Sequence, residues 1–260
     1  MDSLVYSDNV YRTSSRKVPF LPKLFPSLFF YPHLVSVVAR GSRMAKRAHY
    51  GTFEWAQSSL AVMRALEGVG VDIEITGIDA FTTLQGPCVF VSNHMSTLET
   101  FVLPCIIAQF RDVTFVVKQS LLDYPVFRYV MRSRDPIAVG RTNPREDLKT
   151  VMEGGIERLK AGRSLVIFPQ TTRMDTFDPA AFNTIAIKLA KRAGVPVVPV
   201  ALKTNAWGNG KLIKDFGVID PTRRVHFAFG KPMMIKDRGN EEHQAIIGFI
   251  TEKLKKWENT

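Results

Sequence analysis

His94 is the residue in this chain best placed for proton chemistry, and Glu99 is the residue best spaced to assist it. Asn93 and His94 directly follow the apolar run Val89-Phe90-Val91. The imidazole is therefore expected at the carboxyl end of a buried strand, where open α/β sheets form their ligand crevices. Ser96, Thr97, Leu98 and Glu99 read as a helix start. Inside one continuous helix the two residues would point about 140° apart, so they meet only if His94 precedes the helix. In that strand-loop-helix arrangement Glu99 accepts a hydrogen bond from one ring nitrogen and leaves the other free to take a proton from a hydroxyl. Ser96-x-x-Glu99 also fits the capping-box pattern, in which the glutamate satisfies a backbone N–H at the helix start. Spacing alone leaves both readings open.

Other familiar chemistry finds no support. There is no G-x-S-x-G elbow, no G-x-x-x-x-G-K-[ST] phosphate cradle, no H-E-x-x-H and no paired C-x-x-C, so no metal or resident cofactor is expected. His33 and His49 lie in the amino-terminal segment, His226 is expected on the polar side of a strand, and His243 stands beside two glutamates. Cys88 and Cys105 sit in apolar runs as small buried thiols and do not suggest a disulfide framework. Arg141 and Arg173 each follow an expected strand, and a guanidinium grips a phosphate through two donors at once; either one alone reads equally well as a surface ion pair. Lys118, at another strand end, reads as a cation for phosphate or developing negative charge, or as a snorkelling lysine.

The elements that must position these groups follow from periodicity. VDIEI alternates apolar and acidic residues as a half-buried strand does, and PCVFVSN, VTFVVK, PIAV, SLVIFP, VPVVPVAL and VHFAF are short apolar runs of strand length. Between several of them lie helical patterns. Leu148, Val151, Met152, Ile156 and Leu159 share one face, as do Phe182, Ile185, Ala186 and Leu189, whose helix should stop at Gly194. A last amphipathic helix carries Ile246, Ile247, Ile250, Leu254 and Trp257. Strand and helix alternate, which predicts an α/β fold with a mainly parallel central sheet flanked by helices.

At 260 residues and 45% hydrophobic content the chain buries a full core, and its net charge of +11 attracts polyanions in general. The start lacks the basic-then-apolar order of a signal peptide. Residues 1–68 are expected to form a helical, membrane-interfacial segment and 69–260 the main domain. The stretch Phe20 to Val38 is the most apolar, but Pro22, Lys23, Pro26, Pro32 and His33 interrupt it short of the roughly 20 clean residues of a spanning helix. Arg40, Arg43 and Arg47 fall on one stripe of a helix, as residues facing an anionic headgroup layer would; an ordinary solvated face packed on the domain is the alternative. Basic residues interleaved with long aliphatic runs, without a known motif, argue against nucleic acid as the partner.

Asn93 to Glu99, N-H-x-x-x-x-E, resembles the N-H-x-x-x-x-D block of the glycerolipid acyltransferase family, whose best known members are the lysophosphatidic acid (1-acyl-sn-glycerol-3-phosphate) acyltransferases. Later blocks appear in family order. Lys118 in FVVKQSLLDYPVF looks like the lysine block, Gly140-Arg141 like the arginine block, FPQTTR (Phe168 to Arg173) is similar to F-P-E-G-T-R, and VPVVPVAL resembles the proline-rich strand. The resemblance implies transfer of a fatty acyl group from acyl-CoA or acyl carrier protein, as co-substrate, to a lysophospholipid hydroxyl, with lysophosphatidic acid giving phosphatidic acid as the leading case. It implies His94 as base with Glu99 behind it, and Asn93, Lys118, Arg141, Gln170, Thr171, Thr172 and Arg173 around the substrate. It also implies peripheral or monotopic residence at the cytoplasmic face of a membrane. The chain departs from the pattern at Glu99 for aspartate, Gln170 for glutamate, Thr171 for glycine and Arg128 for glycine. Those changes leave open another lysolipid acceptor, such as a lyso-ornithine lipid, or a catalytically silent lipid-binding relative.

Overall fold

The apolar runs become strands because β-branched and aromatic residues fit a pleated surface buried on both faces, and the helical patterns between them return the chain to the sheet. The computed structural model describes residues 3–170, 172–210 and 213–258. In chain order it contains β1 (Val10–Arg12), α1 (Phe20–Leu24), α2 (Pro26–Lys46), α3 (Thr52–Gly68), β2 (Ile73–Thr76), α4 (Asp79–Thr82), β3 (Val89–Ser92) and α5 (Leu98–Ile107). There follow β4 (Val113–Lys118), α6 (Phe127–Ser133), β5 (Ile137–Val139), α7 (Pro144–Lys160), β6 (Ser164–Ile167), α8 (Ile185–Ala193), β7 (Val197–Lys203), β8 (Val225–Phe229) and α9 (Asn240–Glu258).

The strands form one 8-stranded sheet in the order β1-β2-β8-β7-β3-β6-β4-β5. β3 runs parallel to both neighbours, β6 and β7, and β4 runs parallel to β6 and β5. Among the described strands only the β1–β2 and β7–β8 pairings are antiparallel, so the expected mainly parallel sheet is borne out. This topology delivers the carboxyl ends of β3, β4, β5, β6 and β7 to one edge of the sheet. Those five ends lead directly into His94, Lys118, Arg141, the Phe168 to Arg173 segment and Thr204. Two core layers cover the sheet. One face buries Phe81, Phe90, Leu98 and Ile106 with α3 and α5, and the other buries Val91, Ile167, Leu189 and Ile250 with α7, α8 and α9.

The amino-terminal residues are part of this fold. β1 adds an edge strand against β2, pairing Tyr11 with Ile75, and the Tyr11 hydroxyl donates to the buried Glu67 carboxylate at 2.5 Å. α3 packs on α5 through Ser59, whose hydroxyl donates to the Phe101 carbonyl at 2.5 Å and accepts from the Cys105 amide at 2.8 Å. The core containing Leu4, Phe30, Leu34 and Leu60 is continuous with that of Ile73 and Phe90, so no break in the core falls at residue 68. β1 was invisible to periodicity because three residues at a sheet edge carry no alternation. No helix among the described residues is long and apolar enough to cross a membrane.

Gly194 caps α8 in the left-handed conformation (φ 68°), where a side chain would be strained. Phe182, expected on that helix, precedes it, directly after the short 3₁₀ turn Pro179–Ala181, but is still buried in the same core as Ala186 and Leu189.

His226 corrects another expectation. It is 4% exposed and stacks on Trp257 at 4.8 Å, since the amphipathic α9 lies across that side of the sheet. Burial pushes its pKa down to about 4, against the pull of Glu74. Between pH 6.5 and 4 the unfolded chain therefore binds a proton that the folded chain refuses, so this site costs stability as pH falls through that window and the full penalty applies below it. Relative to His226→Phe, which keeps the stack, the wild type should lose about 2 kcal/mol of urea-measured stability between pH 7 and pH 5. Parallel pH profiles for the two proteins would refute this.

Candidate active site

His94 leaves the end of β3 and lies before α5, whose first turn holds Glu99. Its Nδ1 lies 2.8 Å from Glu99 Oε1. An ionised carboxylate only accepts, so Nδ1 carries the proton and Nε2 presents its lone pair, with no protein partner among the described residues. The ring stacks on Phe168 with centroids 4.3 Å apart, which fixes its plane.

Glu99 is fully buried and gathers donors from two stretches of chain, residues 94–96 and Thr204. Oε1 accepts from the Met95 amide at 2.7 Å and the Ser96 amide at 3.0 Å; Oε2 accepts from the Ser96 hydroxyl at 3.0 Å and the Thr204 hydroxyl at 2.5 Å. Burial alone would raise its pKa, but the hydrogen bond and electrostatic attraction from His94, with hydrogen bonds from Thr204 and the Ser96 amide, outweigh that and hold the carboxyl below its usual range. The cap and the histidine partner are thus one arrangement: Glu99 ties down the backbone before α5 and orients the imidazole with the same two oxygens. The Leu98 amide, meanwhile, donates to Ser96 Oγ at 3.1 Å.

Gln170, 1% exposed, accepts the His94 amide at 3.1 Å through Oε1, and the Met174 amide donates to the His94 carbonyl at 2.9 Å. The segment after β6 therefore grips the backbone on both sides of the imidazole. Asn93 sits elsewhere than its neighbour suggests. Its amide bonds the Leu202 carbonyl at 2.8 Å and the Leu202 N–H at 2.9 Å, splicing the end of β3 to β7 inside the sheet, and it does not line the cavity.

That cavity has a volume of about 930 Å³ and reaches His94, Lys118, Arg141, Gln170, Thr172 and Arg173. Thr171 lies outside the described residues. The lining is otherwise mainly apolar, and helices α2, α3 and α5 contribute to it through Val38, Trp55, Val62 and Phe101. Lys188 and Lys214 also line the cavity. Arg141 adopts φ 61°, its backbone and that of Gly140 held at 2.9 Å by the two oxygens of Asp147. Burial and then the neighbouring Arg173 cation press its guanidinium below the usual range, with Asp147 opposing. Arg141 and Arg173 both line the cavity, and a guanidinium is the side chain suited to grip a phosphate or carboxylate through two donors. No group of described His, Cys, Asp and Glu side chains is arranged to hold a metal.

Sequence reasoning missed Phe168 as the ring beneath His94, Thr204 as a donor to Glu99, and the contribution of α2 and α3 to the cavity. FPQTTR contained the first. Nothing local signalled the second, since Thr204 lies 105 residues from Glu99.

The chain is 31% identical over 186 residues to a 1-acyl-sn-glycerol-3-phosphate acyltransferase of Pseudomonas aeruginosa, covering 72% of this chain and 70% of that one. It is 29% identical over 140 residues to a chloroplastic 1-acyl-sn-glycerol-3-phosphate acyltransferase of Brassica napus, covering 54% of this chain and 38% of that protein. In fold it matches the crystal structure of the 1-acyl-sn-glycerophosphate acyltransferase PlsC of Thermotoga maritima with a TM-score of 0.67 and 19% identity, covering 92% of this chain and 98% of that one. Residues 72–203 match the family described as Acyltransferase, and these residues contain the imidazole, its carboxylate and both cavity arginines; the chain belongs to the acyltransferase family.

Proposed function

We propose that the protein transfers a fatty acyl group from a thioester, acyl-CoA or acyl carrier protein, to the free hydroxyl of lysophosphatidic acid, giving phosphatidic acid. The observation that carries this reading is the His94–Glu99 pair, with Nε2 unengaged by any described residue, opening on a cavity lined by both cationic and apolar side chains. Nε2 takes the hydroxyl proton as the oxygen attacks the thioester carbonyl. The C–O bond forms, the C–S bond breaks, and the imidazolium returns its proton to the departing thiolate. A thioester already has a good leaving group, so proximity, a base and positive charge near the developing oxyanion suffice, and no serine or cysteine nucleophile is required. Arg141 and Arg173 hold the acceptor phosphate, with Lys118 beside them, and the apolar lining takes the acyl chain. The names of the relatives support this acceptor.

Work at a membrane surface follows from the outer face of α1 and α2. Phe20, Leu21, Leu24, Phe25 and Leu28 are all at least half exposed, and the exposed Phe216 packs at a tilt against Tyr31 of α2, with ring centroids 5.3 Å apart. Farther along α2 the outer face turns basic at Arg40 and Arg43, and residues 9–53 contain no acidic side chain. An apolar patch continuous with a cationic stripe suits a peripheral or monotopic protein on an anionic leaflet, such as the cytoplasmic face.

One experiment tests both parts: acyl-CoA supplied with a panel of lysolipids, including lyso-ornithine lipid, in phosphatidylglycerol or in phosphatidylcholine vesicles. Phosphatidic acid should be the main product and should form faster on the anionic vesicles. Product from a different lysolipid alone would overturn the acceptor, equal rates on both vesicles would overturn the anionic surface, and no product from any lysolipid would favour a silent relative.

A further inference from the structure

Arg173 is held in place by the protein before any ligand arrives. Its Nη2 donates to Asp215 Oδ1 at 2.7 Å and its Nη1 to the Thr97 hydroxyl, while Thr97 Oγ1 donates to the same Asp215 oxygen at 3.2 Å. The three side chains close a ring. Thr97 stands at the N-cap position of α5 yet makes no capping bond, so its hydroxyl is committed to this ring. Asp215 is fixed from behind as well: the buried Trp207 indole donates to its carbonyl at 3.1 Å, and the hydroxyl of Tyr31 donates to the carbonyl of Gly217. Nη1 also donates to the Lys214 carbonyl at 3.5 Å, so the protein takes both protons of Nη1 and one of Nη2. The Nε–H and the second proton on Nη2 remain for a ligand.

A carboxylate beside an arginine that must hold an anion would be counterproductive if it covered the whole guanidinium. Here it takes one edge. Arg141 pushes on Arg173 from within the cavity, and an unheld arginine side chain would swing away and lose its orientation. A carboxylate on the outer flank offsets that repulsion and fixes the plane of the fork, and donors fixed beforehand bind more tightly than donors ordered on arrival.

We infer that Asp215, supported by Thr97, is a positioning residue for the acceptor's phosphate, setting affinity for a phosphomonoester through Arg173 without touching it. The inference rests on the proposed role of Arg173 in holding that phosphate. Calorimetric titration of the full chain with glycerol 3-phosphate, alongside steady-state kinetics with lysophosphatidic acid, tests it. Asp215→Asn should weaken glycerol 3-phosphate binding and raise KM for the acceptor by about tenfold, with kcat and the KM for acyl-CoA within about twofold of wild type. Asp215→Glu should recover part of the loss. In an Arg173→Gln background, adding Asp215→Asn should change binding by less than about twofold, because the coupled pair has already been broken.

Unchanged or tighter binding in Asp215→Asn, additive losses in the double variant, or a fall in kcat instead of a rise in KM would each overturn the inference. So would a wild type that binds no glycerol 3-phosphate. If Asp215→Asn does not fold, Thr97→Ala opens the same ring and should weaken binding about threefold, with unchanged binding again counting against the inference. A wild type that binds glycerol 3-phosphate in an Asp215-dependent way but acylates no lysolipid would sink the proposed reaction and leave the positioning role standing.

Discussion

His94→Ala lowers the rate of acyl transfer by about 10²- to 10⁴-fold, the range a positioned general base supplies, while leaving the KM for the acceptor within a few fold. The separation follows from the geometry. His94 offers the cavity an imidazole nitrogen that no described group engages, whereas the cations placed to hold the acceptor come from other strand ends. The fold should survive the change, because the Glu99 carboxylate keeps its bonds to Met95, Ser96 and Thr204. Free-thiol release and lipid product, followed together, check it. A variant retaining wild-type turnover would show that His94 is not the base.

Glu99→Gln costs both rate and stability, which distinguishes it from the histidine variant. The five groups around the carboxylate, on His94, Met95, Ser96 (amide and hydroxyl) and Thr204, all point a proton at it. Glutamine replaces one acceptor oxygen with an NH₂, which collides with at least one of those donors or forces His94 into the tautomer whose Nε2 carries the proton. A base in the wrong tautomer cannot take the substrate proton. A loss of about 10³- to 10⁴-fold in kcat is expected by analogy with histidine–carboxylate pairs elsewhere. Breaking the buried network should remove roughly 2–4 kcal/mol of stability, read from a urea titration. If kcat stays above a tenth of wild type while stability falls, Glu99 serves the helix start alone.

The catalytic pair was legible because its geometry is local: a buried strand, a short loop and a helix start lie within eleven residues, Val89 to Glu99, and helical arithmetic alone decides that the two side chains can meet only across the loop. The sheet was legible for a related reason, since buried parallel strands are continuous apolar runs. What stayed hidden depends on direction or on distant partners. Asn93 adjoins His94, yet alternation along the strand turns its side chain into the sheet, where it bonds Leu202. Val38, Trp55 and Val62 lie in the segment expected to meet a membrane, and nothing in their spacing shows that they line a cavity. Asp215 carried no signal, because its partners Arg173 and Thr97 lie 42 and 118 positions away.

The wall contributed by α2 and α3 has a practical consequence. A fragment begun at Val71 to obtain an isolated catalytic core would lose Tyr50, Trp55 and Val62 from the cavity and the edge strand from the sheet, so it would report on a broken pocket rather than on detachment from lipid. The same partition favours chimeras. Under the proposed reaction, the residues that meet the hydrocarbon chain belong partly to the first 68 positions, whereas the proton chemistry belongs to Val89 to Glu99 and its partners. Preference for a shorter or longer chain can therefore drift, or be grafted between relatives, by repacking α2 and α3 while His94 and Glu99 stay untouched.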